Sequence, residues 1–181
     1  MKLVLIGLRG SGKSTVGPLL AKQLGWTFVD TDGIIQRRTG MTIREIFDQG
    51  GEALFRKIEA EVVQECARGD QLVLATGGGA ILNRDSAAAL KKDGFVVHLS
   101  ADPAELWRRV SCDDASAATR PQLVAATSGI EELQKLLLAR AEIYASVRDV
   151  EVHCGGRSPQ EVANAILALL RERGKNHMPG Q

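Results

Sequence analysis

Gly7-Leu8-Arg9-Gly10-Ser11-Gly12-Lys13-Ser14 stands directly behind the apolar run Leu3-Val4-Leu5-Ile6. The stretch fits GxxxxGK(S/T), the phosphate-binding P-loop pattern, in the setting that pattern requires: a short buried strand before it and a helix after it. Gly7, Gly10 and Gly12 let the backbone take conformations that a β-carbon forbids, so successive N–H groups can turn inward around a phosphate. The following helix adds unpaired N–H groups and the positive end of its dipole. Lys13 supplies a mobile positive charge for the outer phosphates of a nucleotide, and the Ser14 hydroxyl is placed to ligate Mg²⁺. A glycine-rich turn that binds nothing would need neither the lysine nor the hydroxyl.

Working outward, 181 residues suit one domain with a proper core, and 44% hydrophobic with 25% charged residues is ordinary for a soluble globular chain. A net charge of +1 gives no global field towards nucleic acid or anionic membrane, so anion recognition must come from locally placed arginines. Cys66, Cys112 and Cys154 are far apart and lack metal-ligand spacing; an odd count suits a reducing compartment. With no leader, cleavage site or bilayer-length apolar run, the expectation is a cytoplasmic protein, and with no surplus apolar stripe, a monomer.

After the P-loop, Val16, Leu19, Leu20 and Leu24 share one helical face, Gly25 ends the helix, and Pro18 predicts a small kink within it. Trp26 to Val29 reads as a second strand ending in Asp30-Thr31-Asp32. Acids at the carboxyl end of a parallel strand suit chemistry, though either aspartate equally suits a helix cap. Helical stretches follow from Gly33 to Thr39 and from Thr42 to Gln49, where Thr42 and Glu45 form a capping box. Gly50-Gly51 then breaks the chain, and a longer helix runs from Glu52 to Arg68 with Arg56 and Glu59 three apart. Such a pair commonly marks no more than a solvated face. Leu72 to Ala75 reads as a central strand running into a second glycine turn, Thr76-Gly77-Gly78-Gly79. That strand lacks the acid P-loop enzymes often place there, so a metal-side carboxylate must come from Asp30 or Asp32.

Helix 84–92, strand 95–99 and helix 103–110 follow, and then Ser111 to Thr127, aperiodic and containing Arg120-Pro121, which reads as a mobile lid whose arginine reaches a phosphate on closure. Helix 130–146 carries Arg140 and Tyr144, strand 150–153 follows, and Ser158-Pro159 opens the last helix. His98 and His153 read as strand residues rather than catalysts. Gly174 to Gln181 reads as a disordered end. Five strands interleaved with helices predict an α/β fold, three layers deep, with a five-stranded parallel sheet and right-handed crossovers. The domain is expected over residues 1–173, with an acceptor-binding helical region at 33–61 and the lid at 111–127.

These segments in this order resemble the shikimate kinase family along essentially the whole chain: Gly7 to Thr15, Asp30 to Asp32, Gly51-Glu52, Phe55 to Glu59, Thr76 to Ala80, Arg120-Pro121, Arg140 with Tyr144, and Arg157-Ser158-Pro159. The resemblance implies ATP- and Mg²⁺-dependent phosphorylation of the shikimate 3-hydroxyl, a step towards aromatic amino acids. It also implies roles for particular residues. Gly10, Ser11, Gly12, Lys13, Ser14 and Thr15 hold the nucleotide phosphates, with Ser14, Asp30 and Asp32 on the metal side. Arg109, with Arg108 as its rival, and Arg157 and Pro159 flank adenine. Arg56, held by Glu59, and Arg140 clamp the carboxylate, while Gly77, Gly78 and Gly79 line the acceptor and Gly78 and Gly79 offer it backbone donors. Lys13, Asp32 and Arg120 are the catalytic set. Asp32 is a poor base for an alcohol, so positioning with late proton acceptance is expected of it. Departures from the family's pattern include Pro18, Gln122-Leu123, and a longer stretch between Arg109 and Arg120. The rivals are another small-molecule P-loop kinase, acting on gluconate or a nucleoside monophosphate, and a nucleotide-binding regulatory module without turnover.

Overall fold

The computed structural model describes residues 1–112 and 129–176. Strands β1 (Lys2–Ile6), β2 (Thr27–Asp30), β3 (Leu72–Ala75), β4 (Gly94–Ser100) and β5 (Val150–His153) form one sheet in the order β2-β3-β1-β4-β5. Every pairing is parallel. The chain starts in the middle, moves out to β2, returns to β3 and then builds β4 and β5 on the other side. The strand order therefore reverses at β1, and in such sheets ligands sit at the carboxyl ends beside the reversal.

Strand β1 is buried along its whole length, as a central strand with helices on both faces must be. Alternate residues feed two cores. Leu3 and Leu5 pack with Val16 and Leu20 of α1 (Lys13–Leu24) and with Val162 and Ile166 of the last helix. Val4 and Ile6 pack with Val63 of α3 (Ile43–Cys66), Leu90 of α4 (Arg84–Lys91), Leu106 of α5 (Pro103–Ser111), and Leu133 and Tyr144 of α6 (Gly129–Val147). Each side chain of this kind contributes about 1.5–3 kcal/mol by leaving water. A third, smaller cluster of Ile35, Ile43, Ile46, Phe55 and Val62 joins α2 (Thr31–Thr39) to α3 outside the sheet.

Local boundaries differ from expectation in instructive ways. Helix α2 starts at Thr31, two residues early, because the Asp30 carboxylate accepts the Asp32 amide at 3.0 Å and caps it. The break expected at Gly50-Gly51 is present: α3 consists of two helical segments that meet at a kink at Gly51 (φ 67°, ψ −169°), the first opened by the Thr42/Glu45 capping box. Helix α1 continues through Pro18 to a left-handed Gly25. The last helix, α7 (Pro159–Asn176), extends past Gly174 into the stretch read as a loose end. Of the expected lid, only Ser111 and Cys112 lie among the described residues; Arg120 lies outside them.

Candidate active site

The loop between β1 and α1, the ends of β2 and β3, and the segment after β5 enclose a cleft of 390 Å³ on the carboxyl edge of the sheet. Its floor is the P-loop. A β-carbon on Gly7 (φ 143°) would lie 2.4 Å from the Leu99 carbonyl oxygen, and one on Gly10 (φ 82°) 2.8 Å from that of Leu106. The loop is therefore pressed against β4 and α5, where no side chain fits. Helices α2, α3 and α4 begin with a side-chain cap, whereas α1 begins at left-handed Gly12 with none. The Thr15 and Val16 amides donate to the Gly12 carbonyl (3.1 and 2.8 Å), and no side chain caps the start ahead of them, the type of helix start that suits an anion. The Lys13 ammonium donates to the carbonyls of Gly7 (2.8 Å) and Leu8 (3.0 Å) and to Ser11 Oγ (3.3 Å), so its charge lies over the loop.

Beside the loop, the Ser14 hydroxyl donates to Asp30 Oδ2 at 2.7 Å while Asp30 Oδ1 caps α2. Of the two readings left open for the aspartates, capping thus falls to Asp30. Asp32 also lines the cleft, and its carboxylate oxygen comes within 3.1 Å of where a Gly77 β-carbon would stand.

At the outer end the cleft is lined by Arg109, Val110, Cys154, Arg157, Pro159 and Val162. The Arg109 guanidinium donates to the carbonyl of Cys154 (2.9 Å) and to that of Gly10 (3.4 Å), and through Nε to Glu105 (2.9 Å). Arg108 instead points outward, with 66% of its side chain exposed and its hydrogen bonds on Glu105. The geometry thus puts Arg109, not its neighbour, on the cleft wall. Arg108 first and Arg109 next hold the Glu105 carboxyl down to about 2.

The inner end is built around the turn after β3. The Gly77 amide donates to Thr31 Oγ1 (3.2 Å), which anchors the turn to α2. A β-carbon on Gly77 would meet Glu59 Oε1 at 2.3 Å, and one on Gly79 would meet the Arg56 guanidinium at 2.4 Å. At these glycines the crowding comes from the ends of the Glu59 and Arg56 side chains rather than from backbone angle. Arg56 donates to Glu59 Oε2 (2.7 Å) and, through Nε and Nη2, to Glu52 Oε1 (3.1 and 3.0 Å), and its guanidinium lies 5.3 Å from the Phe55 ring centre. Glu59 is only 3% exposed, so the pair is no solvated helix face. Burial pushes the Glu59 carboxyl up, partly offset by Arg56, with Asp32 adding to the rise. From α6, Arg140 Nη1 (3.1 Å) and the Tyr144 hydroxyl (2.7 Å) both donate to the Gly78 carbonyl.

The structure therefore brings Lys13, Ser14, Asp30, Asp32, Arg109, Arg157, Pro159 and Gly77–Gly78 into one cleft, with Gly79, Arg56 and Arg140 against its inner end. Thr31 and Tyr144 were not among the expected site residues. Both lie in segments that carry the family resemblance, Tyr144 one turn beyond Arg140 and Thr31 between two acids, but neither was given a role there.

The shikimate kinase family model matches residues 9–171. The chain is 42% identical to the shikimate kinase of Symbiobacterium thermophilum over 97% of its own length and 99% of the relative's. Among solved structures it resembles the shikimate kinase of Acinetobacter baumannii in complex with shikimate (TM-score 0.88, 35% identical, 95% and 93% of the two chains covered). The Aquifex aeolicus shikimate kinase is similar too (TM-score 0.80, 35% identical, 96% and 98% covered). A gluconokinase from Sinorhizobium meliloti, 20% identical with a TM-score of 0.61 over 97% and 94% of the chains, shares the fold alone.

Proposed function

The chain belongs to the shikimate kinase family, and on that premise we propose that its cleft transfers the γ-phosphoryl group of ATP to the 3-hydroxyl of shikimate, giving shikimate 3-phosphate and ADP. The observation that carries this reading is the placement of a phosphate loop and an arginine-flanked glycine turn at two ends of one cleft.

Residues 10–15 hold the phosphates through backbone amides and Lys13, and Arg109, Arg157 and Pro159 flank the adenine. Arg56 and Arg140 bind the carboxylate of shikimate; an arginine fork suits a planar carboxylate, and each charge-assisted bond contributes roughly 1.5–3 kcal/mol. Gly77, Gly78 and Gly79 line the acceptor beside them. Asp32 accepts from the attacking hydroxyl, orients it in line with the γ-phosphorus and takes its proton late, because a loose transition state needs little early deprotonation. Lys13 and Arg120 neutralise charge on the group in transfer, where preorganised electrostatics lowers the barrier most.

A magnesium ion fits the donor set: Ser14 Oγ and Asp30 Oδ2 are hard oxygens 2.7 Å apart beside the loop. Ser14 and Asp30, with Asp32 near them, would hold it, and its chemistry is neutralisation of phosphate charge.

The reading extends to one kinase domain over residues 1–173 with a lid at 111–127, acting as a cytoplasmic monomer without nucleic-acid or membrane partners. The +1 net charge favours this, as does the lack, among the described residues, of a helix long and apolar enough to cross a membrane.

The test is ADP release with ATP and Mg²⁺ in the presence of shikimate, gluconate, quinate or a nucleoside monophosphate. Turnover at about 1–100 per second with shikimate alone is expected; turnover with a different acceptor would reassign Arg56 and Arg140, and none with any would leave a regulatory module.

A further inference from the structure

We propose that Tyr144 is a positioning residue for acceptor binding, its hydroxyl fixing where the Arg140 guanidinium stands against the glycine turn. The inference rests on the reading that Arg140 takes the acceptor's carboxylate, and adds the residue through which that arginine is aimed.

The hydroxyl donates to the Gly78 carbonyl at 2.7 Å. Arg140 Nη1 donates to the same carbonyl at 3.1 Å. The guanidinium and the hydroxyl therefore meet on a single carbonyl oxygen, and whatever holds that oxygen sets where the guanidinium docks. The tyrosine is the rigid member. It is 1% exposed and sits in the core with Leu133 and Val147. Its ring also lies 4.4 Å from that of His98 on β4, with only 6° between the planes. Arg140, by contrast, is a long, half-buried side chain with many rotamers, and it takes a single geometry only where something stiff holds it. Packing does not explain the oxygen. A phenylalanine would fill the same core and stack on the same imidazole, whereas a buried tyrosine hydroxyl needs a partner, and the partner here belongs to the site.

The experiment is a double-mutant cycle on the full chain, with shikimate and ATP varied separately and folding checked by thermal melting. In Tyr144→Phe the KM for shikimate should rise about 10-fold while kcat and the KM for ATP stay within about threefold. In Arg140→Ala the shikimate KM should rise further, and adding Tyr144→Phe to it should change nothing more, because a residue acting through Arg140 has nothing left to aim. An unchanged shikimate KM in Tyr144→Phe, or a double variant showing the full product of both effects, overturns the proposal. If Arg140→Ala alone leaves shikimate KM unmoved, the carboxylate reading falls first and takes this inference with it.

A second measurement uses the unaltered protein. Tyr144 is the chain's single tyrosine, so ¹³C labelling at the phenol carbon gives one resonance. Shikimate should shift it, and quinate or shikimate methyl ester, added as a carboxylate-bearing and a carboxylate-free probe, should separate: the acid shifts it and the ester does not. A resonance indifferent to shikimate, or one moved equally by acid and ester, overturns the proposal.

Discussion

Glu59 carries the sharpest conflict in the molecule, a carboxylate almost fully buried between Arg56 and the Gly77 turn, with Asp32 adding like charge. Burial makes its proton harder to lose in the folded chain than in the unfolded one. Its contribution to stability is therefore greatest below about pH 4.3, where a free glutamate would be protonated, and is lost as pH rises through the elevated folded value. Glu59→Gln should remove that loss: urea midpoints between about pH 5 and 8 should equal or exceed those of the parent, while shikimate binding weakens because Arg56 loses its charged anchor. A variant destabilised at every pH would mean the carboxylate is needed for the fold. Little of this was legible beforehand, because an Arg and a Glu three apart look the same in sequence whether they face water or a core. Arg108 and Arg109 pose the same difficulty, since adjacent arginines on a helix are told apart only by the wall each one meets. The P-loop stretch was legible from its own residue types and spacing, whereas Asp32, Arg56 and Arg140 were singled out through the resemblance to the family, and the structure puts them in or against the same cleft.

Among the elements, α3 is two helical segments, a first capped by Thr42 and a second that carries Arg56 and Glu59, meeting at the kink at Gly51. A β-carbon there would meet nothing within 4 Å, so a substitution is opposed by backbone conformation alone. At φ 67° and ψ −169° that opposition is about 1–3 kcal/mol. Gly51→Ala should lower the urea midpoint by a corresponding amount without altering the denaturant slope, and should raise the shikimate KM more than the ATP KM, because only the acceptor side is carried on the second half. A variant as stable as the parent would show that the helix straightens in solution. Periodicity and caps made the strands and helices readable, including the break near Gly50-Gly51. The start of α2 was misplaced because a cap supplied from the end of a strand, here Asp30, looks like part of the site.

On the scale of the whole molecule, the parallel sheet puts every strand's carboxyl end on one edge, so the proposed nucleotide end and the proposed acceptor end share a cleft while resting on different elements. The two should be separable by thermodynamics. A ligand at about 100 times its Kd adds about 2.7 kcal/mol to the stability of the protein that binds it. In Arg56→Ala the rise in melting temperature caused by nucleotide should persist while that caused by shikimate disappears; equal loss of both would mean that the arginine supports the whole edge rather than the acceptor. The parallel architecture was legible from five apolar runs separated by helical stretches. The inward packing of side chains on the glycine turn was not, since no one-dimensional pattern says which distant residues will occupy the space that three missing side chains leave. That turn also limits how the protein can change. With the space over Gly77 taken by the end of Glu59, and that over Gly79 by the end of Arg56, any larger residue there must displace one of those two side chains. A substitution in the turn therefore reaches the arginine and glutamate through their displacement, so the glycines and the side chains of α3 vary as one unit.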